Sequence, residues 1–203
     1  MTRLGKCRRR REPDPVIPTP RGYPSELSQD VTLLDGRHAF IRAVLPDDAA
    51  ELRRAVEHSD PTTLRRRFLG GRPPRSDEEF RRLVSVDYDR RLAVVAIGPD
   101  GPGVGIARYE ALGDSDTAEV AVAIDPAWRH VGLATALVRL LAVAAARNGL
   151  RHFSVAFFAD NRDVTDIIAE TGAPYWTTDE SAGVITAEIE LPADDEFYGA
   201  KHE

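Results

Sequence analysis

Between Ala118 and Leu137 the chain has the residue types and spacing of an anion-binding turn. A strand-like run, Ala118-Glu119-Val120-Ala121-Val122-Ala123-Ile124, ends at Asp125-Pro126. It then passes through Ala127-Trp128-Arg129-His130-Val131-Gly132 into an apolar helical repeat. The first amides of a helix lack intrahelical acceptors, and the helix dipole makes that end positive. Residues 129–134 therefore offer backbone N–H groups to a phosphate or pyrophosphate. Gly132 lets the backbone approach closely, and Ala134 keeps the next ligand-facing position small.

Other chemistry-bearing groupings are weaker. His58-Ser59-Asp60 has the letters of a hydrolytic triad, but consecutive residues cannot converge in that geometry. Asp160, Asp163 and Asp166 resemble a calcium run but lack its glycine and terminal glutamate, so no metal site is expected. Gly101-Pro102-Gly103-Val104-Gly105 reads as a turn between strands, since no helix follows it. Asn161 stands where the N-cap of the next helix belongs.

The elements that must position these groups can be read from periodicity. Val31–Leu34 and Ala39–Ile41 flank Asp35-Gly36, a hairpin signal. Pro46-Asp47-Asp48 opens a helix carrying Leu52 and Val56 on one face, and shorter helices are expected near 62–68 and 77–85. Strands are expected at 92–97, 104–111, 117–124 and 153–158. The longest helix, about 132–148, places Leu133, Leu137, Leu140, Leu141 and Ala144 on one face. A helix at 162–171 and an antiparallel pair, 173–178 with 184–191, close the domain. Strands on both sides of a strand–helix–strand unit make the class α/β with a mixed sheet.

Bulk properties narrow the function further. A chain of 203 residues suits one domain with tails, and Cys7 is its only cysteine, so it has no internal disulfide. No apolar stretch is long enough to span a bilayer, and no secretory signal is seen, so a cytoplasmic protein is expected. Arg3, Lys6 and Arg8–Arg11 gather six of the 27 basic residues at the N-terminus, leaving 21 against 33 acidic residues elsewhere. An acidic body repels nucleic acid; the charge serves either solubility alone or a cationic acceptor, and only the basic arm could touch a polyanion. Residues 1–24, rich in proline, read as a disordered tail, 25–193 as the domain and 194–203 as an acidic C-terminal tail.

The segment Arg129-His130-Val131-Gly132-Leu133-Ala134 resembles the Arg/Gln-x-x-Gly-x-Gly/Ala motif of the GNAT superfamily of acyl-CoA-dependent N-acyltransferases. The resemblance implies a mixed, mostly antiparallel sheet flanked by helices, with a central β-α-β unit that binds acyl-CoA. It implies that amides of 129–134 hold the pyrophosphate of acetyl-CoA. It also implies that Val122, Ala123 and Ile124 pair with the pantetheine arm as an added strand would, and that Asn161 contacts that arm. A narrower likeness covers Tyr23-Pro24, Asp35-Gly36, Pro46-Asp47-Asp48-Ala49, Arg67-Phe68-Leu69-Gly70, Val86-Asp87-Tyr88 and Ala118-Glu119-Val120-Ala121. These segments are similar to the catalytic domain of bacterial Pat-type protein lysine acetyltransferases. Those relatives often carry a second, ligand-sensing domain, which is not expected within these 203 residues.

By that likeness Glu119 is the general base. A lysine with pKa about 10.4 is mostly protonated at neutral pH, and its ammonium must lose a proton before it attacks a thioester. Alternation places Glu119 with Ala121 and Ala123, opposite Val120, Val122 and Ile124, unless a bulge intervenes. Two positions depart from the family. Ile168 replaces the tyrosine that protonates the leaving thiolate, leaving Tyr109, Tyr175 or water for that task, and Gly172-Ala173 replaces Gly-Phe. The expected function is acetyl-CoA-dependent acetylation of protein lysines by direct transfer. The rivals are acetylation of a small amine and a non-catalytic acyl-CoA sensor.

Overall fold

The computed structural model describes residues 19–192. The sheet order is β1 (Gln29–Thr32), β2 (His38–Ala43), β3 (Arg91–Ile97), β4 (Gly103–Ala111), β5 (Thr117–Ile124), β6 (His152–Phe158), β8 (Val184–Glu190) and β7 (Tyr175–Ser181). All neighbours are antiparallel except β5 and β6, which are parallel. Parallel neighbours need a crossover, supplied here by the helix α4 (Leu133–Arg147). This is the mixed, mostly antiparallel α/β architecture expected from the sequence.

Helix α4 lies where its apolar stripe requires. Leu133, Leu137, Leu140, Leu141 and Ala144 are all buried, against β3, β4 and β5. Burying each leucine contributes roughly 1.5–3 kcal/mol. Gly105 lets the helix sit close, since a Cβ there would come within 2.9 Å of Ile124 and 3.2 Å of Leu137. The opposite face of the sheet is covered on one side only. Helices α1 (Ala49–His58) and α3 (Asp77–Val84) pack together there beside a cluster of Val44, Val84 and Ala93. The short helix α2 (Pro61–Arg67) lies against β5, and α5 (Arg162–Thr171) follows β6 and packs on α4.

Two boundaries differ from the sequence reading. Leu34, expected at the end of a strand, lies in the turn and is 86% exposed. Its amide donates to the Val131 carbonyl (3.1 Å), a long-range acceptor that local alternation cannot show. Tyr23, expected in the tail, packs on the domain. Its hydroxyl donates to the Ala43 carbonyl (3.2 Å) and its ring meets Tyr88 edge-on at 5.5 Å. The basic run Arg8–Arg11 and the acidic segment 194–203 lie outside the described residues. Among the described residues no helix is long and apolar enough to cross a membrane.

Candidate functional site

Strand β5 pairs with β4 without a register shift from Ala118 to Ile124, so no bulge disturbs its facing. Strand β6 pairs with β8 over its whole length. Between β5 and β6, however, only Thr117, Ala118 and Glu119 find partners, in His152, Phe153 and Ser154. Beyond Glu119 the two strands part. The backbone of Val120–Ile124 is left without a strand partner on that side, an arrangement suited to an extended ligand with amide groups.

A cavity of about 350 Å³ fills the split. Glu119, Val122, Ala123 and Ile124 line one wall, and Arg129, His130, Gly132, Leu133 and Ala134 line its helical end. Asn161 lines the far side, so the structure gathers these sequence-selected residues around one space. Val131 is the exception. Its side chain packs against the core and its carbonyl is taken by Leu34, leaving its backbone in the loop.

The loop before α4 is shaped by its sequence. Asp125 accepts from the Ala127 amide (2.8 Å) and caps a 3-10 turn, Pro126–Trp128. His130 (φ +58°) and Gly132 (φ +84°) then turn through the left-handed region. The turn between β1 and β2 braces this loop. Arg37 donates to the Ala127 carbonyl (2.9 Å) and stacks over Trp128 at 4.3 Å. Ala136 donates to the Gly132 carbonyl, so the amides ahead of Ala136 form the free positive end of a fifteen-residue helix.

Asn161 resolves differently from a cap. It occupies the N-cap position of α5, yet its side chain makes no capping hydrogen bond. The residue is only 8% exposed, and its Oδ1 has no hydrogen-bond partner among the described residues. A buried amide oxygen left unpaired is costly, and here it belongs to a cavity-lining residue. This orphan acceptor, the unpaired β5 backbone and the free helix amides together fit acetyl-CoA.

Glu119 shares its face of the sheet with Ala121, Ala123 and the cross-strand residues Glu110 and Arg108. Helix α2 lies over this face, and sequence reasoning gave it no site role. Arg129 donates to Thr63 Oγ1 (2.7 Å), Arg66 lies 3.6 Å from Asp163, and Arg65 stacks over Phe158 at 4.1 Å. These contacts carry α2 across the mouth of the split. Burial pushes the Arg67 guanidinium down to about 10, helped by repulsion from Arg108 and opposed by attraction to Glu119. Burial also lowers Arg108, whose charge is met by Glu110 at 2.9 Å.

The tyrosines offered as acids do not reach this space. Tyr109 is fully buried and donates to the Asp89 carbonyl (2.7 Å), while Asn148 donates to its hydroxyl oxygen (2.8 Å). Burial pushes it up to about 12. Tyr175 is exposed on the edge strand β7. Among the described residues no tyrosine lines the cavity, and buried Ile168 forms part of its wall.

Comparison with known proteins agrees with this geometry. The sequence model of the "Acetyltransferase (GNAT) domain" family matches residues 38–173. "Acetyltransferase PA5475" of Pseudomonas aeruginosa is 34% identical over 144 residues, covering 70% of this chain and 77% of that protein. "Acetyltransferase Pat" of Mycolicibacterium smegmatis is 32% identical over 165 residues, 80% of this chain but 48% of its own length. This chain thus spans about half of that relative. The solved GNAT domain of S. lividans PAT superimposes with a TM-score of 0.75 at 27% identity, covering 83% of this chain and 99% of that one. With the motif loop, the split sheet and a family match over most of its length, the chain belongs to the GNAT acetyltransferase family and is an acyltransferase.

Proposed function

We propose that the protein acetylates lysine side chains of other proteins, with acetyl-CoA as donor and Glu119 as general base. The observation that carries this reading is the position of Glu119. It is the last β5 residue paired to β6 before the split, and it lines the cavity on the face it shares with Ala121 and Ala123. A carboxylate there takes the proton from an incoming ammonium, which contributes typically ~10²–10⁴-fold to such a reaction. Small neighbours leave room for a lysine side chain.

Acetyl-CoA supplies the acetyl thioester. Amides of residues 129–134 hold its pyrophosphate, the open edge at Val122, Ala123 and Ile124 pairs with its amide-bearing arm, and Asn161 donates and accepts along that arm. The Val122 backbone also polarises the thioester carbonyl. Transfer is direct, since residues 19–192 contain no cysteine to carry the acetyl group. The amine attacks the thioester carbonyl and the C–S bond breaks; the departing thiolate takes its proton from water, since no tyrosine among the described residues lines the cavity, and exposed Glu119 gives its proton up to solvent.

The test is to incubate the protein with isotopically labelled acetyl-CoA and a deacetylated bacterial lysate, then map acetylated lysines by mass spectrometry. Discrete lysines labelled only in the presence of the protein are expected. Label found solely on free amines would replace the protein acceptor by a small-amine one. Tight acetyl-CoA binding with no labelled product would mark a sensor.

A further inference from the structure

The sheet register sets a row of side chains beside Glu119. Residues directly opposite one another share a face, and the pairs run Glu110–Glu119, Glu119–Ser154, Ser154–Glu188 and Glu188–Trp176. The row crosses β4, β5, β6, β8 and β7. Its alternates on β6 and β8, including Phe153, Phe157, Ala187 and Ile189, are buried in the core, which fixes the row on the opposite face.

That face is covered as far as β5 and open beyond it. The helices on this side make their main contacts with β4 and β5, and Arg65 of α2 reaches only to Phe158 at the end of β6. Past that point Trp176 is 42% exposed, and Glu190 and Asp179 stand in solvent. No lysine or arginine occupies the face on β6, β8 or β7. On β8 and β7 the face carries Glu188, Glu190, Trp176 and Asp179. Neither Glu188 nor Glu190 has a side-chain hydrogen bond or ion pair among the described residues. Glu110, by contrast, is matched by Arg108. The uncovered strip is continuous with the site, carries the exposed Trp176 ring, which His152 meets edge-on at 5.6 Å, and holds Glu188 and Glu190 without side-chain partners among the described residues.

We infer that this open face of β6, β8 and β7 is the docking surface for the acceptor, and that its occupant is a basic, lysine-bearing polypeptide segment. The inference rests on the protein-lysine reading above and adds a sequence preference to it. Strands lie about 4.8 Å apart, which puts Glu188 about 10 Å and Trp176 about 14 Å from Glu119 along the row. An extended chain advances about 3.3 Å per residue. Alternate residues of an extended chain share a face, so the residue four positions from the modified lysine, about 13 Å away, faces the strip between Glu188 and Trp176, where an arginine pairs with the carboxylate and gains a cation–π contact with the ring.

The experiment measures kcat/KM with one-lysine peptides carrying arginine, alanine or glutamate four residues to either side of the lysine. The full chain and its Glu188→Lys, Glu188→Gln and Trp176→Ala variants are compared, with acetyl-CoA affinity and oligomeric state recorded for each. The native protein should favour the arginine peptide over the glutamate peptide by about tenfold, with the preference shrinking at high salt. Glu188→Gln should reduce that ratio, Glu188→Lys should invert it, and Trp176→Ala should raise KM for the arginine peptide. Peptides acetylated with the same preference by all four proteins would overturn the docking surface and leave the lysine reading intact. A dimer that Trp176→Ala dissociates, with peptide preference unchanged, would assign the face to a second copy and likewise overturn it. Native protein that acetylates only a free amine would overturn both.

Discussion

Asn161 is the residue whose sequence context and structural behaviour diverge most usefully. Its position ahead of α5 predicts a cap, yet its Oδ1 is buried without a partner. A capping asparagine stabilises its own helix by about 1 kcal/mol, whereas an unpaired buried oxygen costs stability until a ligand donor arrives. Asn161→Leu should therefore leave the melting temperature of the free protein unchanged or raised, and weaken acetyl-CoA about three- to tenfold. A lower melting temperature with unchanged acetyl-CoA affinity would return the residue to a structural role. The residue's position was legible from the Ala159-Asp160-Asn161-Arg162 segment. Its freedom from capping was not, because side-chain pairing depends on how β6 delivers the chain to α5. Arg67 shows the same limit: its motif was visible, but its burial beside Glu119 depends on where α2 crosses the sheet.

At the scale of elements, the loop from Asp125 to Gly132 and helix α4 act as one device. Gly132 holds φ +84° at the helix start, and a Cβ there would also touch Leu34 at 3.4 Å. A side chain forced into the left-handed region costs about 1–2 kcal/mol. Gly132→Ala should thus lower stability by about that amount in denaturant titration and weaken acetyl-CoA binding in calorimetry. Unchanged values in both would detach the loop from cofactor binding. Most elements were readable because α4 and β5 carry strong, unmixed periods, and α5 was bounded correctly by its flanking turn residues. Strand β7 was placed two residues early, since every residue from Tyr175 to Ser181 is exposed and no burial alternation marks it. The split between β5 and β6 left no local signal, because register across a crossover helix is a tertiary property.

Across the whole molecule, the sheet is held open at one end and tied at the other. Beyond Glu119 the strands part, while at the far end Tyr109 of β4 joins the Asp89 carbonyl and Asn148 at the end of α4. Burial raises Tyr109 to about 12, against about 10 for a free tyrosine. The unfolded chain then loses this proton before the folded one does. Stability from this tie is fully present below pH about 10 and declines as pH rises toward about 12. Denaturant midpoints of the native protein should fall over that window more steeply than those of Tyr109→Phe. Parallel slopes would mean that the hydroxyl is not held in its neutral form. The acidic excess was legible from composition alone. The placement of Glu188, Glu190 and Asp179 on one uncovered face required the strand order, in which β8 lies inside β7.

The base role of Glu119 is tested most directly by Glu119→Gln, using the acceptor identified in the lysate. Turnover and acetyl-CoA affinity are measured on the same preparation. The expected result is a kcat lower by about 10²–10⁴-fold with acetyl-CoA affinity within about threefold of the native value. A kcat equal to that of the native protein, at preserved affinity, would contradict proton removal by Glu119.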